Sequence, residues 1–416
     1  MAKRRTPVDR RVPKKEKLSG RQKLSAKHHW AALGGLLLSF CMLLPATAAP
    51  RKSSPWNPLH TRGSEIVDSA GHPVTLMGVS WWGMETKNFA PMGLDKRSMD
   101  SVLTEVNVMG FNTLRLPYSS DLLRMGAAPV GIDYELNPEL KGLSGLELLD
   151  AVITAAGKHG LRVVLDRHRP DAGGQSELWY TAEHSEQEWI ADWTMLAERY
   201  SDSDVVIGAD LDNEPHGRAT WGSGEVATDW RLAAERAGNA ILKTNPHWLI
   251  FVQGVATVGG DTYWWGGNLA AAGRSGVQLE VENQLVYAPH DYPPSVSRQP
   301  WFEAAGFPAN MPEVWEQHWG YLATKREAPV VMGEFGSRLE TNEDRAWLMQ
   351  MVWYLKQRHI GAMWWSLNPE SEDTGGLYND DWSLMEQAKL RALQPLLQAN
   401  QMPSPLAVAR RSTVVF

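Results

Sequence analysis

Eight short runs of apolar and β-branched residues recur along the 416-residue chain, their starts 33 to 50 positions apart. They are "VTLMGVSW" (74–81), "FNTLRLP" (111–117), "LRVVLD" (161–166), "VVIGADL" (205–211), "HWLIFVQG" (247–254), "QLVYAPH" (284–290), "APVVMGE" (328–334) and "GAMWWSL" (361–367). Runs this short and this continuously apolar read as strands covered on both faces, which is the mark of a parallel sheet. Parallel strands need crossovers, and helix-period stretches lie between the runs. Leu146, Leu149, Val152, Ile153 and Ala156 make one apolar stripe, which ends at Gly157 and Gly160. Similar helices are expected between Trp189 and Tyr200 and between Asn342 and His359. Eight such repeats over roughly 320 residues fit the α/β class and, within it, a single (β/α)8 TIM barrel. An open doubly wound sheet would place a glycine-rich phosphate turn after its first strand, and no G-x-G-x-x-G occurs.

The barrel is expected to occupy residues 50–397, with a loose tail at 398–416. Residues 1–49 read differently. They hold 11 of the 41 Lys and Arg residues against Asp9 and Glu16 alone. This basic stretch leads into the apolar "WAALGGLLLSFCMLL" (30–44) and then "PATAAP", where Ala46-Thr47-Ala48 fits a cleavage site. The apolar run is too short, and too soon broken by Pro45, for a comfortable membrane span. An export signal is expected, with a secreted protein, extracellular or periplasmic, and no stable membrane association after cleavage. The remaining 30 basic residues face 46 acids, a net of −16, which argues against nucleic-acid binding. Cys41 is the one cysteine, so a mature chain would have no disulfide, thiolate metal site or cysteine nucleophile.

In a barrel the C-terminal strand ends converge on one face, and chemistry sits there. Strand 2 delivers Arg115, strand 3 His168, and strand 4 Asn213 with Glu214. Strand 6 delivers His290 and Tyr292, strand 7 Glu334 and strand 8 Trp365. Any one of these is an ordinary rim residue; the coincidence at six strand ends carries the argument. Two carboxyls facing each other across the mouth, flanked by His, Arg, Tyr and Trp, make a glycosidase site. One carboxyl must be protonated to release the leaving oxygen, and the other ionised to attack or to activate water. Tryptophan is abundant, at 20 residues, and falls in pairs at strand ends: Trp81-Trp82, Trp264-Trp265 and Trp364-Trp365. Flat aromatic faces there could stack on sugar rings. No H-E-x-x-H, G-x-S-x-G or P-loop occurs, and the 12 histidines form no metal-ligand cluster beyond His28-His29, so no metal and no cofactor is expected.

The motifs "GVSWWGMET", "FNTLRLPYS", "LDRHRPD", "LDNEPH", "YWWGGNL", "YAPHDYPPSV", "MGEFG" and "WWSLNPESEDTGG" occur in this order between about residues 56 and 395. Together they resemble glycoside hydrolase family 5, close to its bacterial endo-β-1,4-glucanase branch. The resemblance implies a retaining hydrolase of β-glucan with Glu214 as acid/base and Glu334 as nucleophile. It assigns Arg115, His168, Asn213, His290, Tyr292 and Trp365 to the subsite at the cleaved bond. Trp81, and one of Trp264 or Trp265, would line outer subsites. Leu367 stands where some relatives have an aromatic, and no appended carbohydrate-binding module is visible. A monomer is expected. Another β-glycan substrate (mannan, xyloglucan or a mixed-linkage glucan) is the enzymatic alternative, and a non-catalytic carbohydrate-binding barrel the other.

Overall fold

The computed structural model describes residues 57–383 and 386–398. The expected export segment, and all but the first residue of the expected tail, lie outside the described residues. All eight runs form strands. They are β1 (Met77–Ser80), β2 (Thr113–Ser119), β3 (Arg162–Arg169), β4 (Val206–Asp210), β5 (Leu249–Val252), β6 (Leu285–Tyr287, resumed at His290–Asp291), β7 (Val331–Phe335) and β8 (Gly361–Trp364). The sheet contains nine hydrogen-bonded segments, because Ala288 and Pro289 split the sixth strand in two. Its first half pairs with β5 through Tyr287 and Val252, and its second half pairs with β7 through His290 and Glu334. A parallel bridge from Tyr287 to Val330 links the first half directly to the residue preceding β7. The ring of parallel strands is therefore closed, as the repeat pattern predicts.

The crossovers hold α1 (Met99–Met109), α2 (Gly145–Lys158), α3 (Glu186–Arg199), α4 (Trp230–Thr244), a composite α5, α6 (Asn342–Arg358) and α7 (Gln387–Leu397). The composite runs Met311–Trp315, a π turn at Glu316–Gly320, and Tyr321–Thr324. Starts are fixed by side chains that satisfy orphan amides. Ser144 with Glu147 and Ser185 with Glu188 form capping boxes, and Thr341 accepts from the Asp344 amide. The strict β/α alternation fails once. Between β5 and β6, among the described residues, the chain makes a small hairpin (Thr257–Val258 with Asp261–Thr262) and loops, but no α-helix. The reason is compositional: glycines at 259, 260, 266, 267, 273 and 276 break any helical run.

Inside the barrel, the N-terminal end is apolar. Val164, Ile207, Leu249, Phe251, Val286, Val331 and Met363 form one buried cluster. Leu59, Ile66 and Leu76 close it from below, the first two carried by or beside an antiparallel hairpin of His60–Arg62 and Glu65–Val67. The taper is filled by setting small against large. A Cβ on Gly208 would lie 2.3 Å from the Leu249 carbonyl and 2.9 Å from the Phe251 ring, so only glycine fits there. The larger core lies between strands and helices, where Trp189, Trp193, Trp230, Trp315, Trp319 and Trp347 are all fully buried.

Candidate active site

Side chains alternate along a strand, so the interior residues two steps beyond the apolar plug continue into the barrel mouth. Val164 is followed by Asp166 and His168, Gly208 by Asp210, Phe251 by Gln253, and Met363 by Trp365. Arg115 stands at the centre of this layer and is only 1% exposed. Its Nε donates to Asp210 at 3.0 Å, Nη1 to Glu334, and Nη2 to Asn213 at 3.0 Å, with Asp166 at 3.1 Å. One guanidinium thus serves three carboxylates and an amide. Such an ion cluster is tolerable only because every donor is placed; removing Arg115 would leave the buried acids without their cation. Burial pushes Asp166 up to about 7 and Asp210 up to about 6, against the pull of Arg115.

The two acids are held differently. Glu334 accepts at both oxygens, Oε1 from Arg115 and Oε2 from the Tyr292 hydroxyl at 2.6 Å. Glu214 has no cation in hydrogen-bond contact. Its side chain is 17% exposed, and burial raises its pKa above the usual carboxyl value. The Glu214 backbone has φ 54°, in the left-handed region, a conformation costly for a residue with a Cβ. Gln253 holds it there, accepting the Glu214 amide at 2.7 Å while donating to both Asp210 oxygens. His290 spans the pair, with Nδ1 3.1 Å from Glu214 Oε1 and 3.5 Å from Glu334 Oε2. Carboxylate oxygens of Glu214 and Glu334 come within 4.8 Å of each other.

His168 donates from Nδ1 to Asp166 at 2.6 Å, and its Nε2 lies 3.4 Å from the Asn213 amide nitrogen. Its ring stacks on Trp365 at 5.2 Å with planes 5° apart. Burial lowers both His168 and His290 to about 4. The eight residues expected at strand ends therefore meet in one constellation. Three aromatic expectations resolve unequally. Trp81 is fully buried with its Nε1 on the Met92 carbonyl, so it presents no face to a ligand; that expectation is corrected. Trp264 is likewise buried, edge-on to Tyr292. Trp265 is 50% exposed and lies flat on His216, with ring centres 3.7 Å apart. In each Trp pair the first residue enters the core and the second does not. Trp82 is partly exposed, its indole on Ser366 beside Trp365, and the sequence reading passed it over.

Also missed were Asp166, Asp210 and Gln253. The period of two along "LDRHR" places Asp166 on the same face as His168, and the same period carries Phe251 to Gln253. That signal was available in the sequence. Which acid would share Arg115 was not, because the partners come from 95 and 219 positions away.

Comparison with known proteins identifies the family. The family model "Cellulase (glycosyl hydrolase family 5)" matches residues 67–371. An endoglucanase of Paenibacillus polymyxa is 45% identical over 93% of this chain and 100% of its own length. The major extracellular endoglucanase of Xanthomonas campestris pv. campestris is 41% identical over 80% of this chain and 69% of its own. Among solved structures, the cellotetraose complex of an endocellulase from Pyrococcus horikoshii superposes with TM-score 0.79 at 39% identity, covering 82% of this chain and 99% of that one. A chain with this barrel and this acid pair, matched over most of its length by the family model, belongs to glycosyl hydrolase family 5, the cellulase family, and is a glycoside hydrolase.

Proposed function

We propose that the protein is a retaining endo-β-1,4-glucanase in which Glu334 attacks the anomeric carbon and Glu214 is the acid/base. The observation that carries this is the short separation of the two acids. Their oxygens approach within 4.8 Å, which leaves no room for the water that an inverting enzyme seats between its carboxyls at ~6.5–9.5 Å. The roles follow from the surroundings. Glu214 has the raised proton affinity of a group able to give a proton to the leaving oxygen. Glu334, with donors on both oxygens, is aimed and immobile.

In the first step Glu334 forms a glycosyl ester while Glu214 protonates the departing sugar. In the second, Glu214 takes a proton from water, which displaces Glu334. Positive charge develops on the sugar ring in both transition states. Glu334, held by Arg115 and Tyr292, is the group in this pocket that can offset that charge as it forms. Asn213 is placed by Arg115 and His168 to meet the sugar 2-hydroxyl, and Trp365, backed by His168, offers a ring for stacking.

A 2-fluoro glycoside with a good leaving group should label the peptide containing Glu334, and the first product seen by NMR should be the β anomer. An α anomer would overturn the assignment. Hydrolysis of a mannan in preference to soluble β-1,4-glucan would replace the substrate and keep the mechanism. Among the described residues no helix is long and apolar enough to cross a membrane. We place the mature enzyme outside the cytoplasm as a monomer, cleaved after Ala48 or Ala49; N-terminal sequencing of exported protein tests this, and full-length chain in the membrane fraction would refute it.

A further inference from the structure

Glu214 has two oxygens in different settings. Oε1 points inward to His290, and through it towards Glu334. Oε2 points outward and accepts from the side-chain amide of Gln175 at 3.0 Å. Gln175 belongs to the loop after β3. Asp171 shapes that loop by accepting the Gly173 amide at 2.6 Å and the Gly174 amide at 3.1 Å. The loop is open to solvent, and a Cβ on Gly174 would meet nothing within 4 Å. Gln175 is thus an exposed residue whose amide is fixed on the one acid of the pair that must exchange a proton.

We infer that Gln175 is a positioning residue for the proton donor, holding the outer oxygen of Glu214 and favouring its carboxylate form. This rests on the acid/base reading of Glu214 above. An N–H donor bonds well to an ionised carboxylate and poorly to the protonated oxygen, so it counters the upward push of burial. It also gives the group two settings across the catalytic cycle. With Gln175 in place, Glu214 is held as the base that the second step requires. A substrate whose leaving oxygen takes up the outer oxygen displaces the amide and lets the proton affinity rise, as the first step requires.

The other charged and titratable groups facing Glu214 are Arg115 from β2, Asp166 and His168 from β3, and His216 from its own loop. His290 and Tyr292 face it from β6, Glu334 from β7, and Asp373 from the loop after β8. Substitution at Gln175 leaves every one of these in place. Asp373 is the control: it repels the Glu214 charge.

The test is Gln175→Leu, which keeps bulk and removes the donor, beside Asp373→Asn. The carboxyl carbon of Glu214 is titrated by NMR, and the pH dependence of kcat/KM is measured on soluble β-1,4-glucan. In Gln175→Leu the Glu214 pKa and the alkaline limb should both rise, by roughly half a unit to one unit. In Asp373→Asn both should fall by less. A purely structural loop contact would not move the two variants in opposite directions. A Glu214 pKa unchanged by Gln175→Leu overturns the inference. A pKa that moves while the alkaline limb stays put keeps the contact and overturns the acid/base assignment instead.

Discussion

At the N-terminal end of the barrel the strands bring together Val164, Phe251, Val286 and Met363; one or two alternations along, the same strands bring Asp166, Gln253, His290 and Trp365. Backbone pairing is the same at both ends, and burial is nearly so. What differs is what the buried side chains need. The lower set needs only volume, and the hairpin lid supplies a dry floor. The upper set needs partners, and Arg115 and Gln253 supply them. The lower end should therefore answer to substitution in stability and the upper end in chemistry, and each test below can break that division.

The largest effect is expected at Glu334. Alanine there should cost about 10⁴-fold or more in kcat on every substrate, activated ones included, because the attacking atom is gone. The fold should persist, since Arg115 keeps Asp166 and Asp210. Residual activity within tenfold of wild type would show Glu334 to be a mere partner of Arg115. Glu214→Ala comes next, with about 10²- to 10⁴-fold lost on glucan. Aryl glycosides whose leaving group needs no proton should be spared in the glycosylation step. Equal loss on both kinds of substrate would remove Glu214 from the acid role.

At the other end, Phe251→Ala should destabilise the barrel by about 3–5 kcal/mol, with kcat per folded molecule unchanged. A fall in kcat without loss of stability would mean that the plug shapes the site above it. The paired tryptophans repeat the contrast over a single residue. Trp364, fully buried, should behave as Phe251 does, whereas Trp365→Ala should lose about 10²-fold in kcat/KM at little cost in melting temperature.

That last pair shows how far the sequence could be read. The eight strands and the two acids are local signals: apolar runs of strand length, each ending on a chemistry-bearing residue. The Trp81-Trp82 and Trp364-Trp365 pairs are local signals too, since consecutive residues along a strand direction point to opposite faces. Trp264-Trp265 lies in a loop, outside any strand, where that period does not apply. Counting aromatics without their phase along the strand does not distinguish the buried Trp81 from the partly exposed Trp82. Gln253 was passed over because an amide at a strand end advertises no chemistry of its own. Its role appears only once Asp210, from β4, and the left-handed backbone of Glu214 are seen against it. Likewise, the sequence cannot say which carboxylates Arg115 will serve, because closure of the barrel sets those distances.

The smallest effect expected is one of pH, and it divides the two ends again. Burial holds His168 and His290 at about 4, below the ordinary value of 6.5, so both are neutral in the folded enzyme near pH 6. Between about 4 and 6.5 the unfolded chain binds protons that the folded chain refuses at these two sites, so their effect is to lower stability as pH falls through that window. Asp166, Asp210 and Asp291 have the opposite sign. Burial raises them to about 7, 6 and 7, so the folded chain holds protons that the unfolded chain has lost, and stability from these groups declines as pH rises from 3.8 towards 7. The two sets oppose each other across this window. Replacing His290 with Gln removes one member of the first set while keeping a donor towards Glu214. The melting temperature of His290→Gln should then depend less on acidification between pH 6.5 and 4 than that of the wild type. Phe251→Ala, which removes no titrating group although Phe251 stands beside Asp210 in the sheet, should lie below the wild type at every pH. Parallel curves for His290→Gln and the wild type would mean that folding leaves the proton affinity of His290 unchanged, and imidazole nitrogen shifts followed between pH 4 and 6.5 would show it directly.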